Sequence, residues 1–170
     1  CAAVGMTPAR SRALRGLGIF SLARGELVEA RALAEESLAL AEGAAATTRG
    51  KAHVTMGTVL YYLGELAATA THLERGRRLL GRTPNAPVRG AAQAPLVNCL
   101  TFLAMARWFA GRPDTALALG EEARRVAETL GHPLGRLWAA HVSAVLHHLR
   151  GEPDCAAVAA QVAIRLASDL

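Results

Sequence analysis

The sequence predicts an all-α chain built as an α-α superhelix, a solenoid of about four helical hairpins and eight helices. Composition is the first reason. Of the 170 residues, 52% are hydrophobic but only 4% aromatic, so the packing units are small, mostly Ala and Leu. That excludes a disordered chain and disfavours a β-sandwich, which draws on β-branched and aromatic residues. The second reason is a recurring segment: ARGELVEA at 23–30, YLGELAAT at 62–69, AGRPDTAL at 110–117 and RGEPDCAA at 150–157. Its glycines, Gly25, Gly64, Gly111 and Gly151, are 39, 47 and 40 residues apart, and periods of this length mark stacked helical units. The third is apolar spacing of three and four residues on both sides of each glycine, as at Leu14, Leu17 and Leu22 before Gly25 and Leu27, Ala30, Leu33, Ala34, Leu38 and Ala41 after it. Such spacing gives each helix one apolar face.

The elements follow in order. Helices are expected at 9–23, 27–42, 48–63, 66–81, 95–110, 114–130, 134–149 and 153–168, paired into units at 9–42, 48–81, 95–130 and 134–168. Each glycine supplies the left-handed residue that ends the first helix of its hairpin. Pro113-Asp114 and Pro153-Asp154 then restart the chain, since Pro suits a first helical turn and Asp its positive end. Ala30, Ala116 and Ala156 fall five residues after their glycines, where two helices approach closely, and Thr69 takes that place in the second unit. The segment 82–94, with prolines at Pro84, Pro87 and then Pro95, interrupts the pattern and is expected to be a long surface loop. The whole chain, 1–170, reads as a single repeat domain. It starts at Cys1 and stops at the end of an apolar helix pattern, as expected of a piece of a larger protein.

The net charge of +5 comes from 19 basic and 14 acidic residues, and the bases are scattered from Arg10 to Arg165, with one tight group at Arg75, Arg77, Arg78 and Arg82. A nucleic-acid module gathers its bases into a stripe, so nucleic acid is not the expected partner. The longest uncharged stretch, Gly90 to Ala106, contains Gln93, Pro95 and Asn98 and makes a poor membrane span. No signal peptide is visible, and Cys1, Cys99 and Cys155 form no CxxC pair. The expected setting is cytoplasmic, with reduced thiols.

Leu17-Gly18, Gly25 and Ala30, then Gly57 and Gly64, then Leu103, Ala104, Gly111 and Ala116, then Ala144, Gly151 and Ala156 resemble the helix-turn-helix signature of tetratricopeptide (TPR) repeats. The aromatics of that signature are replaced: Leu14, His53, Leu100 and Ala140 stand at its first aromatic position, and Ser21, Leu60, Arg107 and His147 at the later one. The run from about 96 to 157 looks like the C-terminal repeats of large bacterial signalling ATPases of the STAND type, which carry nucleotide-cyclase or LuxR-type DNA-binding domains. Its cues are Cys99-Leu100, Trp108-Phe109-Ala110-Gly111, Pro113-Asp114, Leu130-Gly131-His132-Pro133 and His147-His148-Leu149-Arg150. The resemblance implies a sensor or partner-binding arm in signal transduction or transcription regulation, with the ATPase elsewhere.

Catalytic motifs are not found. There is no GxxxxGKS or GxxxxGKT phosphate loop, the one lysine being Lys51, and neither GxSxG nor HExxH occurs. The chain is therefore expected to be no enzyme and to need no cofactor. His141 and His148 lie seven residues apart, too far to chelate one ion, and the adjacent His147 and His148 diverge, so no metal site is expected. In a TPR-like stack the first helix of each hairpin lines the concave side. Aligned on the turn glycines, the lining positions are Arg12, Arg15, Ile19 and Leu22; Lys51, Val54, Thr58 and Tyr61; Asn98, Thr101, Met105 and Trp108; and Trp138, His141, Val145 and His148. The binding candidates among them are Arg12, Arg15, Lys51, Tyr61, Asn98, Thr101, Trp108, Trp138, His141 and His148. They suit a protein, a peptide or a small effector. The alternative is a structural, self-associating module that dimerises through the solenoid ends, since Ala156, Val158, Val162, Ile164 and Leu166 leave the last helix few polar positions.

Overall fold

Each expected helix forms. The computed structural model describes the backbone over residues 2–81 and 94–170 and the side chains over 9–81 and 94–170. Over those residues the chain is all-helical: α1 (Ala2–Ala23), α2 (Leu27–Ala41), α3 (Ala46–Tyr62), α4 (Leu66–Gly81), α5 (Pro95–Phe109), α6 (Pro113–Leu130), α7 (Pro133–Leu149) and α8 (Pro153–Ser168). All but α1 lie within two residues of the expected bounds. That helix begins at Ala2 rather than 9 and runs through Pro8. A proline there removes one backbone hydrogen bond. The expected loop at 82–94 lies outside the described residues up to residue 93.

The chain divides into two compact units, Cys1–Asn85 and Ala86–Leu170. In the first, α1 packs on α2 and α3 on α4, while α3 also lies against α1 and α2. In the second, α5 packs on α6 and α7 on α8, while α7 also lies against α5 and α6. Within each unit, then, the first helices of successive hairpins are neighbours.

One backbone device closes all four hairpins. Gly25, Gly64, Gly111 and Gly151 have φ of 78°, 79°, 73° and 75°, a region costly for any residue with a Cβ. The next residue's N–H donates to the carbonyl five positions back: Glu26 to Ser21 and Glu65 to Leu60 at 2.9 Å, Arg112 to Arg107 and Glu152 to His147 at 3.0 Å. The glycine N–H donates three positions back, so the last carbonyls of the first helix are satisfied.

The residue five after the glycine is fully buried in three hairpins, as Ala30, Thr69 and Ala116. In the fourth, Ala156 is only half-buried, because among the described helices α8 packs on α7 alone and has no buried residue. Ala30 and Ala34 of α2 meet Met56, Val59 and Leu60 of α3 in the core of the first unit. The α3–α4 hairpin closes on glycine: a Cβ at Gly57 would lie 2.6 Å from Leu73, and one at Gly76 2.9 Å from Val54. A reciprocal serine pair joins α1 to α2, with the Ser11 and Ser37 hydroxyls 3.1 Å apart and the Ser37 hydroxyl donating to the Ser11 carbonyl at 3.1 Å.

Candidate functional site

In the first unit the expected lining narrows to its charged end. Val54 and Thr58 are buried, at 6% and 5% exposure, rather than lining a groove. The reason lies in the partner helix, where the missing side chain of Gly76 lets Val54 pack against α4. Arg12 is exposed, and Arg15 and Lys51 are half-buried. Arg12 and Arg15 stand one turn apart on α1, and Lys51 comes from α3, which packs on α1. Their charges act on one another. Burial, then Arg12, holds the Arg15 pKa below its ordinary value; burial, then Arg15, then Arg12, does the same to Lys51.

Three other bases of the unit are paired: Arg10 with Glu36 at 2.6 Å, Arg24 with Glu26 at 2.7 Å, and Arg31 with Glu65 at 2.6 Å and Glu35 at 3.0 Å. Among the described residues none offers a carboxylate to Arg12, Arg15 or Lys51. The structure thus collects three of the sequence-derived candidates into one uncompensated cationic face. Tyr61, the fourth candidate of this unit, is half-buried and meets Tyr62 edge to face at 5.5 Å. Burial and then Tyr62 raise its phenol pKa.

Sequence reasoning missed a histidine pair in the same unit. His53 of α3 and His72 of α4 approach with Nδ1 atoms 3.2 Å apart, one donating and the other accepting. Burial comes first in pushing His53 down to about 4, followed by the charges of His72, Arg75 and Arg49. His72 is also lowered, by burial and then Arg75. No local spacing announces the pair, because the two rings come from different helices 19 residues apart.

In the second unit Trp138 of α7 lies beside Phe102 of α5, with ring centroids 6.2 Å apart, and meets His141 edge to face at 5.6 Å. Trp138 and His141 are therefore brought together, with Phe102 as an unforeseen third ring. Thr101 leaves the lining: it is 2% exposed, and its hydroxyl donates to the Asn98 carbonyl at 3.0 Å. The helix geometry explains this, since a threonine on an interior face satisfies its hydroxyl on the preceding turn. Asn98, Trp108, Met105 and Val145 are half-buried, and His148 is exposed.

His132 caps α7, its Nδ1 accepting from the Gly135 N–H at 3.3 Å. Across the next turn, His147, Glu152 and Cys155 each place a ligand-type atom within 4.8 Å of the others. Spacing between histidines does not reveal this set, whose members span a turn and are of three residue types. No described helix is long and apolar enough to cross a membrane. No protein-family model matches the chain, and neither does any curated protein.

Proposed function

We propose that the chain is a non-catalytic, TPR-like binding module whose first unit takes an acidic group of a partner protein, peptide or small effector on the α1–α3 face. The observation that carries this reading is the trio Arg12, Arg15 and Lys51, of which Arg15 and Lys51 are half-buried, with no carboxylate partner among the described residues. Unpaired charge withdrawn from water is costly. An incoming carboxylate or phosphate recovers that cost through charge-assisted hydrogen bonds. The common turn at Gly25, Gly64, Gly111 and Gly151 supports reading the hairpins as repeats of a superhelix. The resemblance over about 96–157 supports a role as the sensor or partner-binding arm of a cytoplasmic bacterial signalling ATPase.

The test is a fluorescence-anisotropy titration of a Glu-rich peptide against its Gln counterpart. The acidic peptide binds the tighter of the two, and Arg15→Gln or Lys51→Gln each weakens it by about tenfold, the worth of one hydrogen bond to a charged group. Equal binding of the two peptides would reject the reading.

A second reading is self-association, favoured by one observation. α8 has no buried residue and leaves Val158 and Ile164 at 64% and 66% exposure. Light scattering decides it. A dimer that Val158→Glu and Ile164→Glu dissociate supports this reading, and a monomer at every concentration removes it.

A further inference from the structure

The four hairpin turns share one hydrogen-bonding pattern, so the positions four before, one after and four after the glycine are equivalent in all of them. They hold Ser21, Glu26 and Glu29 in the first turn; Leu60, Glu65 and Ala68 in the second; and Arg107, Arg112 and Thr115 in the third. In the fourth they hold His147, Glu152 and Cys155, an imidazole, a carboxylate and a thiol with one ligand atom from each inside 4.8 Å. We propose that the α7–α8 turn is a Zn2+ site with His147, Glu152 and Cys155 as its ligands.

The donor set selects the ion. Nitrogen and thiolate sulfur with one carboxylate oxygen suit zinc, whereas calcium and magnesium take oxygen alone. Three protein ligands leave the fourth tetrahedral position to water or to a donor from a partner.

The turn also orients its carboxylate. Arg150 Nε donates to Glu152 Oε1 at 2.8 Å, which leaves Oε2 facing His147 Nδ1 at 2.6 Å. Outer hydrogen bonds of this kind fix ligand direction in metal sites. The 2.6 Å contact widens on binding to about 3.3 Å, the edge of a tetrahedron with bonds of about 2.0 Å. His147 and Glu152 side chains are 27% and 35% exposed and Cys155 lies open to solvent, so an ion enters without unfolding the hairpin. On binding, the thiol proton and the proton between His147 and Glu152 pass to solvent. The thiolate and carboxylate then balance the dication, and Arg150 keeps its contact with Asp114 at 3.5 Å.

Titration of the full chain with Co2+ under reducing conditions tests the site. The expected result is one equivalent bound, a thiolate-to-cobalt charge-transfer band, and loss of the band when Zn2+ is added. Cys155→Ser and His147→Ala abolish the band while circular dichroism shows the helices intact, and Glu152→Gln weakens binding by about tenfold or more. Cys1→Ser, Cys99→Ala and His148→Ala keep the band. Absence of a charge-transfer band with stoichiometric Co2+, or a band that survives Cys155→Ser, would overturn the proposal.

Discussion

The α3–α4 hairpin of the first unit closes on glycine, whereas the α5–α6 hairpin of the second closes on leucine and alanine. Gly50, Gly57 and Gly76 meet Leu80, Leu73 and Val54 at distances no Cβ allows, while α5 has no glycine and buries Leu100, Leu103 and Ala104, and α6, which packs on it, buries Ala116, Leu119 and Ala123. Yet both hairpins turn on the same left-handed glycine with the same paired hydrogen bonds. The turn therefore decides that a hairpin forms, and the facing residues decide how its helices close. Glycine in a helix interior costs about 1 kcal/mol relative to alanine, and in α3 and α4 tight packing offsets that cost. The units differ in polarity as well. Among the described residues, the buried polar side chains of the first unit are Ser11, Ser21, Ser37, Thr55, Thr58 and Thr69, against Thr101 alone in the second. The first unit carries its unpaired cations at the surface, and the second carries rings there and the ligand-type turn.

The largest effect that probes this contrast is expected in the second unit. Leu100→Ala removes a fully buried side chain and lowers unfolding stability in urea by about 2–5 kcal/mol. Next comes the glycine contact itself. Gly57→Ala forces its Cβ against Leu73 and costs about 1–3 kcal/mol. Gly16→Ala, in a helix position with nothing within 4 Å, gains about 0.5–1 kcal/mol. If both alanine variants move the urea midpoint the same way, the close-packing account of α3 and α4 fails.

A pH titration of the melting temperature probes the histidine pair of the first unit. The folded pKa of His53, about 4, lies below its ordinary 6.5, so the unfolded state takes up the proton first. The group's contribution is complete above pH 6.5, is lost as the pH falls toward 4, and changes no further below that. His53→Gln flattens this slope, and an unchanged slope would assign the acid sensitivity elsewhere. The smallest effect concerns Thr69, whose hydroxyl is buried without a hydrogen-bond partner among the described residues. Thr69→Val keeps the volume, removes the unmet group and leaves stability equal or higher by up to about 1 kcal/mol. A loss in thermal melting would show that the hydroxyl has a role.

The turns were legible because they are local. A glycine, a following Leu or Pro and a small residue five positions on carry the whole hairpin signal within eight residues, and Ala30, Thr69 and Ala116 are buried where that signal puts them. The cationic trio was half legible. Helical phasing put Arg12, Arg15 and Lys51 on one expected side, but only the structure shows that Arg10 and Arg31 find carboxylates while these three meet none among the described residues. Val54, Thr58 and Thr101 were misplaced for one reason: phasing gives the direction of a side chain, not the depth of the neighbour it meets. The Ser11–Ser37 and His53–His72 pairs join residues 26 and 19 apart, on partner helices whose register no single-helix pattern fixes.

Helix bounds, hairpin order and turn geometry are thus properties of short runs of residues, since backbone hydrogen bonding within a helix and around a glycine involves near neighbours in the chain. Which helices approach to contact, which hydroxyls and imidazoles find one another, and which charges lack a counter-ion are settled by packing between helices. Those outcomes depend on the size of the residue opposite, and only the folded chain brings that residue near.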